Sequence, residues 1–174
     1  MRKHLNHKLP NWWRCTCRLF LALSWCAGLF LGILAASAAS ETLVPLMRGT
    51  VTAPVSIFGL LAVIFLPFLF SAYAVYFAEP WLLLIVSIFK AFSFAFCSFG
   101  LCLAFGQCSW LVRFLYLFSD VFSIPVLYCF WLRNISGRTR SSRRECIVFG
   151  IITLVIGCID YWLISPFLTS LQLR

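Results

Sequence analysis

The sequence predicts an all-α, polytopic integral membrane protein built as a bundle of five transmembrane helices, and three observations predict it. The 174 residues are 63% hydrophobic and 11% charged, with a mean hydropathy of +0.99. Five apolar runs are long enough to cross a bilayer. The basic residues gather in two short segments that such a five-span path puts on one side of the membrane. Ordinary soluble domains are roughly 45–50% apolar and about 25% charged, so a water-soluble core has no place for this much apolar surface. One membrane domain follows, over residues 19–168.

Residues 1–18 carry Arg2, Lys3, Lys8, Arg14 and Arg18 and read as a basic cytoplasmic segment. The spans fall at about 19–39, 55–78, 81–105, 110–132 and 146–168, each near the ~20 residues needed to cross ~30 Å of hydrocarbon. Within the first span, the run Leu19 to Leu34 is followed by Ala-Ala-Ser-Ala-Ala-Ser (Ala35 to Ser40), which has the form of a signal-peptide cleavage site. Against cleavage, Gly28, Gly32, Ala36 and Ser40 recur every four residues, and a retained helix would use that small-residue stripe to approach a neighbour. Pro45 and Pro54, Glu79-Pro80 and Gly106-Gln107 break the chain between spans.

Residues 133–145, with Arg133, Arg138, Arg140, Arg143 and Arg144, form a second basic segment and a solvated loop. With the N-terminus inside, four crossings return this loop to the cytoplasm, so ten of the fourteen Lys and Arg residues share one face. The C-terminus is then extracytoplasmic, and the protein is a multi-pass protein of the cell membrane. The net charge of +9 serves the membrane rather than nucleic acid: the expected partners are the bilayer, with anionic headgroups at the basic segments, and other membrane or wall-associated proteins. Trp81, Trp110 and Trp131 sit near span ends and read as interfacial anchors.

Charged groups inside spans are costly, so they face the protein and find partners. Lys90 lies about ten residues into the third span and Asp120 about ten into the fourth, which sets both near mid-depth and suggests an ion pair. At ~100° per residue, Ser87, Ser93, Cys97, Ser98 and Gly100 share the Lys90 side of its helix, and Phe92, Phe96 and Phe99 face lipid. Arg113, Tyr116 and Ser123 share the Asp120 side, and Gly150, Thr153, Gly157 and Asp160 line one face of the fifth span. Such an interior either conducts, binds or relays something, or holds an ion pair that fixes helix register.

Catalysis lacks its materials. The two histidines, His4 and His7, lie in the N-terminal tail, and no nucleophile, base and carboxylate assemble. His4, His7, Cys15 and Cys17 offer metal-binding atoms, but one residue between the cysteines is short of the usual two to four, so neither metal nor cofactor is expected. Of the nine cysteines, five fall within apolar runs and read as small apolar fillers.

Two stretches resemble the stage II sporulation protein M family of endospore-forming bacteria: Leu82 to Phe96, an apolar run into Lys90-Ala91-Phe92, and Phe118-Ser-Asp-Val-Phe-Ser-Ile-Pro125, a polar interruption closed by proline. The five-span layout is similar too. The resemblance implies a non-enzymatic membrane scaffold or assembly factor of engulfment during sporulation, placing peptidoglycan-cleaving partners. A small transporter or channel component with a polar midplane site is the alternative from another class.

Overall fold

The computed structural model describes residues 11–52, 57–77, 80–105, 114–115, 117–135, 143–164 and 166, and the elements within them are all helical. They are α1 (Asn11–Ala38), α2 (Ser40–Thr52), α3 (Ile57–Phe77), α4 (Pro80–Phe105), α5 (Phe118–Ile135) and α6 (Arg143–Ile159), which runs on into a π-helical turn at Asp160–Ile164. Among the described residues, three stretches are long and apolar enough to cross a membrane: Arg18–Ala38, Trp81–Ala104 and Arg144–Ile164. The apolar segments Ala62–Val75 and Phe118–Leu132 are shorter. This all-helical, membrane-type architecture is what composition demands, since an unpaired backbone N–H or C=O has no water to bond in hydrocarbon.

The stripe of small residues on α1 meets α4. A Cβ on Gly28 would stand 2.4 Å from the Ile88 carbonyl oxygen and 2.8 Å from the Ala91 Cβ; on Gly32 it would stand 2.5 Å from the Phe92 carbonyl oxygen and 2.9 Å from the Ala95 Cβ. Both glycines are therefore needed for the backbones to touch. Ser24 hydrogen-bonds Ser87 one turn earlier. Residue numbers rise together on both helices, so α1 and α4 run parallel. Ala36, Ala91 and Ala95 are buried along the same seam.

The segment 40–52, expected as a proline-broken connection, is instead helix α2. Ala39 N–H donates to Ala35 and Leu43 N–H to Ala39, so hydrogen bonding passes across the turn from α1 to α2. Pro45 forfeits only the bond to Glu41, whose residue is exposed. Packing offsets that loss: Leu43 is buried, and it and Met47 close over Gly100 of α4.

An aromatic layer joins α3, α5 and α6. Phe68 packs on Phe130 with ring centroids 5.6 Å apart, and Phe130 on Phe149 at 5.3 Å. Trp131, read from the sequence as an interfacial anchor, is 1% exposed and sits in this core. Its indole N–H donates to Ser71 Oγ at 2.8 Å, and Ser71 donates to the Pro67 carbonyl at 2.7 Å. That chain gives the indole the partner it needs when buried. Outward, Phe58, Phe89 and Trp162 are mostly exposed and belong to a surface suited to lipid.

Phe92, Phe96 and Phe99, expected on a lipid face, are half-buried. Helix α4 is covered by α1, α2 and α3, so its outward side narrows to residues such as Ile85, Phe89 and Leu103.

Candidate polar centre

Where the small-residue faces of α4, α5 and α6 converge, the bundle holds charge. Lys90 Nζ donates to Asp120 Oδ1, with side chains 3% and 14% exposed, so this is a buried ion pair. Lys90 is reached about ten residues into α4. Asp120, expected in mid-helix, lies in the first turn of α5, which begins at Phe118. Ser and Asp are favoured at a helix start, where free N–H groups and the positive end of the helix dipole welcome a carboxylate. Asp120 is thus stabilised by Lys90 and by its own helix.

Asp160 approaches from the other side. It is buried, opens the π-helical turn at the end of α6, and accepts a hydrogen bond from the Ser119 hydroxyl. Asp120 is close enough to repel it. Cys97 and Ser93 of α4 border the same region: the two side chains hydrogen-bond each other, and Cys97 senses both charges of the ion pair. Ser123 is fully buried, and its hydroxyl has no hydrogen-bond partner among the described residues.

The register of α5 against α6 locates Ser123. Phe130 packs on Phe149 and Ser119 bonds Asp160, so the helices are antiparallel and Ser123 lies opposite Ile156 and Gly157. It sits one turn, ~6 Å, along the face that Ser119 presents to Asp160. Thr153, about one turn further down α6, is buried and returns its hydroxyl to the Phe149 carbonyl at 2.8 Å.

The sequence-predicted residues divide accordingly. Lys90 and Asp120 are brought together, with Ser93, Ser123 and Asp160 in the same region. Ser87 belongs elsewhere, at the α1–α4 seam; Ser24 and Ser87 both reach back toward their own helices, so one hydroxyl donates across and the other turns to a carbonyl. Gly157 is buried, and a Cβ on Gly150 would lie 3.2 Å from the Phe68 ring, so Gly150 admits α3. Arg113 and Tyr116 lie outside the described residues. Ser119, Ser24 and Ser71 were missed. The signal available for Ser119 is its place one residue before an intramembrane aspartate.

Among the described residues no group of three or more His, Cys, Asp or Glu side chains could hold a metal, and Cys26, Cys97, Cys102, Cys129 and Cys158 are in no disulfide. A cleft of about 440 Å³ between α3 and α4, walled by Ala62, Leu66, Phe70, Ile85 and Phe89, reaches Lys90 at its edge but is almost wholly apolar.

Fold and centre together define a helical, membrane-type bundle with a buried layer of charged and hydroxyl side chains. The chain matches no known protein family, no curated protein and no solved structure.

Proposed function

We propose that this chain is a five-span scaffold or assembly factor of the cell membrane, non-enzymatic, with a cytoplasmic N-terminus and an extracytoplasmic C-terminus. The observation that carries the reading is the closure of the Lys90–Asp120 pair inside the bundle. A group committed to a partner on the next helix serves register and packing, and the described clefts offer apolar surface rather than a wet path. The five-span assignment draws on the 21 residues of α3, about 31 Å of helix, and the 18 of α5.

The likeness to the stage II sporulation protein M family gives this scaffold an occupation: positioning peptidoglycan-cleaving enzymes during engulfment. The experiment is affinity purification of the tagged protein from sporulating cells in mild detergent. Recovery of wall-cleaving or other wall-associated membrane proteins is expected. Recovery of the chain alone, from cells in which its deletion leaves engulfment normal, overturns the assignment.

A small transporter is the second reading, favoured by the carboxylate of Asp160 beside the pair. Exchanging Lys90 and Asp120 separates the two. A scaffold keeps its accumulation and partners after the exchange, whereas a conducting site loses flux in proteoliposomes.

A further inference from the structure

We propose that the Asp120–Asp160 side of the polar centre binds one monovalent cation of the sodium type. The charge inventory comes first. Two carboxylates and one ammonium meet among the described residues of this layer, and Lys90 is engaged with Asp120 Oδ1. Asp160 has a hydroxyl and a second carboxylate for neighbours, so among the described residues the ionised cluster is one positive charge short. A buried charge without compensation is costly, and a single positive charge balances the set where a divalent ion would overshoot it.

The second observation is Ser123. Its hydroxyl is completely buried and has no partner among the described residues, which is an uncommon and costly state for a polar atom. The helix register places it on the α5 face directed at α6, one turn from Ser119. The donor set is therefore the Asp160 carboxylate, the hydroxyls of Ser119 and Ser123, and the carboxylate oxygen of Asp120 that Lys90 leaves free.

The chemistry of that set selects the ligand. All four donors are hard oxygens, suited to an alkali or alkaline-earth cation, and with Cys97 as the one thiol bordering the region no group of three or more His, Cys, Asp or Glu forms among the described residues to hold a softer metal. The π-helical turn beginning at Asp160 relaxes the regular ladder beside the cluster, a distortion common where a helix carries a site. The cation would tie α6 to α5 as Lys90 ties α4 to α5, a role independent of whether the bundle scaffolds or transports.

The test uses the full chain purified in detergent, with sodium chloride replacing choline chloride at constant ionic strength and pH. Radioactive sodium in equilibrium dialysis measures binding, and thermal unfolding measures its consequence. One saturable sodium ion per chain and a melting temperature that climbs with sodium are expected. Ser123→Ala removes one ligand and little volume; it should weaken sodium binding about tenfold or more while leaving the melting temperature in choline unchanged or higher. Asp160→Asn should abolish binding. Absence of saturable binding, the result if Asp160 simply carries a proton, overturns the site, as does wild-type affinity in Ser123→Ala. Should Asp160→Asn fail to fold, Ser123→Ala decides alone. Partner recovery from cells is a separate readout, so this site and the scaffold reading fail independently.

Discussion

At the scale of single residues, the molecule's charges are useful only in company. Replacing Lys90 by Met strands the Asp120 carboxylate, and replacing Asp120 by Leu strands the ammonium. Each change should cost roughly 3–5 kcal/mol, lowering both accumulation and the melting temperature in detergent. The double replacement removes the stranded charge and should recover much of the loss; a double variant as weak as the summed single losses would show the two to be uncoupled. Trp131→Phe tests a milder dependence. It keeps the ring in the core and deletes the N–H that reaches Ser71, while Ser71 still has the Pro67 carbonyl, so a loss of about 1 kcal/mol in stability is expected. A melting temperature equal to wild type would remove that hydrogen bond from the stability account. The ion pair was readable from sequence because a lone basic and a lone acidic residue at comparable positions in adjacent spans have few alternatives. Trp131 was not, because a tryptophan near a span end looks alike whether it touches headgroups or finds a serine five dozen residues away.

Elements are set by how closely their backbones can approach. The α1–α4 seam depends on hydrogen atoms where any other residue has a side chain, and the obstructing atoms at Gly28 and Gly32 are backbone carbonyls, which cannot rotate aside. Gly28→Val or Gly32→Val should part the helices and cost about 1–3 kcal/mol, an overpacking penalty visible as a lower melting temperature. Gly150→Ala meets a phenylalanine ring that can shift by a few tenths of an ångström, and should be far milder. Equal losses at Gly28 and Gly150 would contradict this ranking. The four-residue stripe was legible as a packing face, though its partner was not: spacing says that a helix approaches, never which one. Helix α2 went unread because Pro45 is a breaker by propensity, and only the cover that Leu43 and Met47 give Gly100 reveals why the segment stays helical. The phenylalanines of α4 were misplaced for a related reason. A helix wheel identifies one inner face, but a helix contacted by four others has several.

The whole molecule is ordered by a membrane that leaves its mark in charge. Helix α4 follows α1 in parallel and Phe130 pairs with Phe149 across antiparallel α5 and α6, relations that the proposed five-span path requires. On the proposed five-span path, Arg144 and Glu145, at the start of α6, would lie on the side of the basic N-terminal segment. Cys146 stands beside them and is half-buried, and Cys108 falls between the third and fourth apolar runs. A charged, membrane-impermeant thiol reagent applied to sealed cells should therefore label Cys108 and spare Cys146, while permeabilised cells should yield labelling at both, more slowly at Cys146 because of its partial burial. Single-cysteine variants make the readout unambiguous, since the other cysteines lie within or near apolar runs and are replaced by Ala or Ser. Labelling of Cys146 from outside would invert the C-terminal helix and break the parity that joins the two basic segments. Protection of Cys108 on both sides of the membrane would mean that residues 106–110 are buried, and the third and fourth runs would then form a re-entrant pair rather than two crossings.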